Sequence, residues 1–121
     1  MSDDAAPGAN EGATAGDEDA TADDSDDPDA VLDELFAVIK DRKERLPEDS
    51  YTASLFTHEK GENAVLEKLG EETTELVLAA KDDDHEEITH ESADIVYHLL
   101  VLLAMKDVDV ADLRDELAAR R

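Results

Sequence analysis

From Val31 to Leu117 apolar residues recur at three- and four-residue steps, and no stretch alternates apolar with polar as a half-buried strand does. That periodicity restricts the chain to an all-α fold. Asp27-Pro28 supplies a cap and a first helical residue, and Val31, Leu32, Leu35, Phe36 and Ile39 carry the first helix toward a stop before Pro47. Ser50 can cap a short second helix bearing Tyr51, Leu55 and Phe56, and Gly61 marks the next joint. The third helix is expected over Glu62 to Lys81, with Val65, Leu66, Leu69, Leu76, Val77 and Ala80 on its buried side. Gly70 weakens it by ~1 kcal/mol relative to Ala, either to admit a backbone or ligand or as a tolerated surface residue. Asp82-Asp83-Asp84 breaks the pattern, and Asp84 with Glu87 forms a capping pair for a fourth helix through Ile88, Ile95, Val96, Leu99, Leu100 and Leu103, ending near Lys106. Asp109 caps a last helix on which Val110, Leu113 and Leu117 repeat.

The third and fourth helices share a short connection, so they should pack as an antiparallel hairpin. Their apolar faces are wider than one hairpin hides. The expected architecture is an antiparallel bundle of four to five helices whose core is completed by dimerisation, as a homodimer or a higher even oligomer.

Acidic residues number 35 of 121 against 11 basic ones, a net charge of -24. Such a field repels nucleic acid and anionic membranes, so neither is an expected partner. Combined with helical periodicity it points to a halophilic surface. Residues 1–29 hold eleven of the acidic side chains and no Lys or Arg, and read as a disordered acidic tail; residues 30–121 form the all-α domain. Cysteine is absent, which excludes disulfides and thiolate metal sites. The acidic amino terminus gives no export signal, and the apolar run of 95–105 is interrupted by His98 and short for a membrane span, so a cytoplasmic protein is expected.

Two carboxylate pairs disturb the apolar stripes. Glu72/Glu75 and Glu91/Asp94 are each spaced i, i+3; Leu69, Leu76 and Ala80 lie within ~80° of Glu72 around its helix, and Ile88, Ile95 and Leu99 equally close to Glu91. Desolvating an unpaired carboxylate costs several kcal/mol or more. In so acidic a chain the spacing alone arises by accident. The matched placement on facing helices carries more weight, and four converging carboxylates call for a cation, Mg²⁺. The competing reading is solvated faces held by salt bridges.

Other residues leave alternatives open. Lys68, one turn before Glu72, can meet a phosphate or pair with Glu72. His98 is a ligand or a hydrogen-bonded structural histidine, and Tyr97 stacks on a base or fills an interface. Ser50, Tyr51 and Thr52 form a phosphate cradle or a helix cap.

Four segments in order, Ser50-Tyr51-Thr52-Ala53, Lys68-Leu69-Gly70-Glu71-Glu72-Thr73-Thr74-Glu75, Ala79-Ala80-Lys81-Asp82 and Glu91-Ser92-Ala93-Asp94-Ile95-Val96-Tyr97-His98, resemble the phosphoribosyl-ATP pyrophosphohydrolase family of the MazG-like all-α pyrophosphatases. The resemblance covers residues 30–121. It implies a Mg²⁺-dependent enzyme of histidine biosynthesis that hydrolyses phosphoribosyl-ATP to phosphoribosyl-AMP and pyrophosphate. It makes Glu72, Glu75, Glu91 and Asp94 the metal ligands, sets Glu71 beside them as a supporting group or base, and lets Lys68, Lys60 and Lys81 hold phosphates. Tyr97 and His98 match the family pattern, and the next pathway activity would come from a separate polypeptide. The alternatives are a house-cleaning nucleoside triphosphate pyrophosphatase of the same superfamily and a non-catalytic helical dimerisation module.

Overall fold

The structure is a computed structural model and describes residues 27–121. Residues 1–26, and with them nearly all of the expected tail, lie outside the described residues. A 3₁₀ turn, Pro28–Ala30, leads into α1 (Val31–Arg45), followed by α2 (Tyr51–Phe56), α3 (Glu62–Lys81), α4 (His85–Met105) and α5 (Val110–Ala118). There is no strand among the described residues.

The helix ends follow the local chemistry. Asp27, Ser50, Asp84 and Asp109 are N-caps, and their side chains accept hydrogen bonds from the backbone N–H of Asp29, Ala53, Glu87 and Ala111. α1 stops where Leu46 turns left-handed at φ 49° and returns its N–H to Arg42 O, directly before Pro47. Gly61 opens α3 at φ 63°, a conformation that favours glycine. Gly70 faces open space, which fits a tolerated surface residue in this subunit.

α3 and α4 run antiparallel across the Asp82–Asp84 connection; α1 crosses α4 and α2, and α5 closes against α1. The core collects Phe36 and Ile39 of α1, Leu55 of α2, Val65 of α3, Leu100, Val101 and Ala104 of α4 and Val110 of α5. All of it sits at the end of the hairpin away from the α3–α4 turn. α4 is the principal neighbour of α3, and one neighbour covers one side of a helix.

The expected buried face of α3 is corrected accordingly. Val65 is buried and Leu69 and Leu76 are half-buried, but Leu66 is 43% exposed, Val77 54%, and Ala80 is also exposed; Ala64, Ala79 and Glu72 take buried positions. α4, at 21 residues, has the length and apolar composition of a membrane span, as the core helix of a bundle also can. It is the central helix of the bundle, and it turns Glu91 and Asp94 toward α3.

Candidate active site of facing carboxylates

Antiparallel pairing sets Glu75 opposite Glu91, while Glu72 lies one turn further from the connection, beside Asp94 and His98. Glu72 is 7% exposed and Glu91 4%, so both carboxylates penetrate the hairpin interface; Glu75 is exposed and Asp94 half-buried. Glu91 Oε1 is buried with no hydrogen-bond partner among the described residues. Burial, reinforced by hydrogen bonding to Glu75 and then by that residue's charge, pushes the Glu91 pKa up to about 7. Glu72 also rises to about 7, through burial first and the Asp94 charge second, against a smaller opposing pull from Lys68. Asp94 is raised mainly by burial, with His90 and His98 opposing. Glu72 and Glu91 therefore ionise only near neutral pH in the metal-free fold, and a positive charge entering beside them would favour their ionised forms.

His98 is fully buried and ties three helices together. Its Nδ1 lies 2.9 Å from Glu72 Oε1 and 3.1 Å from the Asp94 carbonyl oxygen, and its Nε2 lies 3.2 Å from the Tyr51 hydroxyl. Burial lowers its pKa, which favours neutral imidazole. With Tyr51 O–H donating to Nε2, the tautomer carries its proton on Nδ1 and donates it to Glu72. Tyr51 is itself pushed to about 12, by burial and then by the Glu72 and Asp94 charges. The Tyr97 hydroxyl bonds Thr52 Oγ1, and the Tyr97 ring stands edge-on to His98, with centroids 5.0 Å apart.

The remaining expected residues divide. Tyr51, Lys60, Lys68 and Glu71 line one cleft of about 210 Å³ between α2 and α3, together with Ser54, Leu55, His58, Ala64 and Glu67. Lys60 is paired there with Glu67 at 3.0 Å. Ser50 and Thr52 are buried; Ser50 Oγ serves as the α2 cap, so its hydroxyl does not face the cleft as a phosphate cradle. Lys81 is nine residues from Glu72, ~180° around α3, and faces away from the site in this subunit.

The carboxylate spacing does not announce one neighbour of the site, His90, or one buried cation away from it, Arg42. His90 Nε2 lies 3.5 Å from Asp94 Oδ2, and His90, Glu91 and Asp94 each bring a ligand atom within 4.8 Å of the others. The i, i+4 spacing of His90 and Asp94 was the available signal. Arg42 is buried, pairs with Asp41 at 2.5 Å and feels the charges of Asp49 and Tyr97. It continues the Phe36, Ile39 stripe in a three-residue step.

An orphaned buried carboxylate oxygen within an oxygen-rich donor set fits a hard divalent cation.

A family model described as phosphoribosyl-ATP pyrophosphohydrolase matches residues 32–121. A phosphoribosyl-ATP pyrophosphatase of Haloarcula marismortui is 81% identical over 97 residues, covering 80% of this chain and 99% of that protein. One of Natronomonas pharaonis is 78% identical over 95 residues, covering 78% and 94%. One of Methanococcoides burtonii is 50% identical over 92 residues, covering 76% and 93%.

Proposed function

This chain belongs to the phosphoribosyl-ATP pyrophosphohydrolase family, and we propose that its facing carboxylates perform the family's reaction, hydrolysis of phosphoribosyl-ATP to phosphoribosyl-AMP and pyrophosphate in histidine biosynthesis. It is a hydrolase acting on a phosphoric anhydride. The observation that carries the site reading is the burial of Glu72 and Glu91 against Glu75 and Asp94, with one carboxylate oxygen unpaired.

Glu72, Glu75, Glu91 and Asp94 would hold Mg²⁺, with His90 at the edge of the set. The bound ion would neutralise triphosphate charge and lower the pKa of a water. The protein's own groups account for the rest. Loss of protons from Glu72 and Glu91 creates the negative site. Glu71, exposed at the cleft and next to Glu72 in sequence, would accept the proton of an attacking water. Lys68, whose charge already acts on Glu72 and Asp94, would draw phosphate oxygens toward the carboxylates, and Lys60, paired with Glu67 in the same cleft, would join it by exchanging that partner for phosphate. Tyr51, which lines the same cleft, is linked to Glu72 through His98. In a chain of charge -24, these lysines and the cation turn the local field toward an anionic substrate.

Two further properties belong to this reading. Val77, Leu78 and Val96 are apolar side chains left exposed on the hairpin of the single subunit, and a second copy of the chain would cover them in a homodimer or higher even oligomer. The protein works in the cytoplasm, with residues 30–121 as its catalytic domain.

The test is pyrophosphate release in molar KCl, from phosphoribosyl-ATP and from a panel of nucleoside triphosphates, with and without Mg²⁺. Rapid hydrolysis of a nucleoside triphosphate with none of phosphoribosyl-ATP would replace this reading with a house-cleaning one. No hydrolysis of either would leave a non-catalytic module.

A further inference from the structure

We propose that His98 is a positioning residue, whose Nδ1–H holds the Glu72 carboxylate in one orientation beside Asp94 and whose own orientation is fixed by the Tyr51 hydroxyl. The proposal rests on the metal-site reading above.

The geometry separates this role from packing. His98 is fully buried, so it reaches neither solvent nor substrate, yet both ring nitrogens are engaged at hydrogen-bond distance. Apolar side chains fill the neighbouring positions Leu100 and Val101 with no polar atoms to satisfy. An imidazole brings two that must be paired, at a cost when either is left alone.

The hydrogen-bond inventory also sets the direction. A phenol has one hydrogen to give, and Tyr51 has His98 Nε2 at 3.2 Å as its acceptor. Nδ1 lies between Glu72 Oε1 at 2.9 Å and the Asp94 carbonyl at 3.1 Å, and a carbonyl only accepts, so Nδ1 is the donor and Nε2 is left to accept the Tyr51 O–H. Both acceptors belong to residues of the carboxylate set. One ring thus registers Glu72 of α3 against the α4 backbone at Asp94. Carboxylates that bind metals need such outer partners to fix which lone pairs are free.

Tyr51 adds a connection to the substrate side. Its ring lines the α2–α3 cleft and stacks on Tyr97, with centroids 6.2 Å apart. The wall of the cleft is therefore two hydrogen bonds away from Glu72.

The experiment titrates Mn²⁺ into the full chain in molar KCl without substrate, followed by electron paramagnetic resonance, with melting curves in EDTA as the check of fold. His98→Leu is expected to melt cooperatively and to bind Mn²⁺ ~10–100-fold more weakly. His98→Asn, whose amide N–H can take the place of Nδ1–H, recovers most of the affinity. Wild-type affinity in His98→Leu, or Asn no better than Leu, overturns the positioning role. If His98→Leu fails to fold, Tyr51→Phe decides: it removes the hydroxyl that fixes the orientation of the ring, and an unchanged Mn²⁺ affinity overturns the proposal. Absence of saturable Mn²⁺ binding by the wild type overturns the metal reading, and the positioning role with it.

Discussion

Glu72→Gln should stabilise the metal-free protein above pH 7 while abolishing Mg²⁺-dependent turnover. The Glu72 carboxyl rises from 4.5 to about 7 on folding, which corresponds to ~3 kcal/mol between its two protonation states. Screening by salt and the flank of the carboxyl that reaches solvent reduce this to ~1–3 kcal/mol. The sign follows from proton binding. Between pH 4.5 and about 7 the folded state holds more protons at Glu72 than the unfolded state, so stability falls as pH rises through that window, and the full penalty stands above it. Glutamine never ionises, and its amide oxygen can still accept from His98 Nδ1–H. Denaturant unfolding in EDTA and molar KCl, at pH 5 and pH 8, should show the variant ~1–3 kcal/mol more stable at pH 8 and near wild type at pH 5; in melting curves that is at least ~4 °C for a domain of this size. Added Mg²⁺ should reverse the order, since only the wild type gains binding energy. Equal stabilisation at both pH values, or none at pH 8, would refute the claim that an ionised Glu72 is strained in the metal-free fold.

Three other outcomes follow from the same structure. The melting temperature should rise by more than ~10 °C between dilute buffer and molar KCl, because salt screens the self-repulsion of a -24 chain; a flat profile would contradict a halophilic surface. Val77→Asp with Leu78→Asp, both exposed in the single subunit, should halve the mass seen by light scattering while retaining helical circular dichroism, and an unchanged mass would move the interface elsewhere. Removing residues 1–26, which spares the Asp27 cap, should leave kcat within about twofold in the pyrophosphate assay, given that every residue proposed for the site lies beyond Ser50 or at it.

The helices were legible because their ends are written in short-range chemistry. Asp27, Ser50, Asp84 and Asp109 cap where the sequence placed them, since a side-chain oxygen two or three residues before a free N–H needs no tertiary context. The facing of Glu75 and Glu91 was legible too, as a consequence of a three-residue connection between antiparallel helices. The exposure of Leu66, Val77 and Ala80 was not. Periodicity gives the width of an apolar face but not which part of it has a neighbour, and α1 covers only the far end of the hairpin. His98 was visible as a histidine in an apolar helix, but its bonds to Tyr51 and Glu72 span 47 and 26 residues and depend on three helices meeting. His90 stayed hidden for another reason: it lies outside the i, i+3 carboxylate spacing and meets Asp94 through an i, i+4 contact.

The most direct test of the central claim is pyrophosphate release from phosphoribosyl-ATP in molar KCl by the wild type and by Glu91→Gln, across a Mg²⁺ titration. Turnover that depends on Mg²⁺ in the wild type and is lost in Glu91→Gln, with helical structure retained, is the predicted result. Turnover indifferent to Mg²⁺, or undiminished in Glu91→Gln, would contradict it.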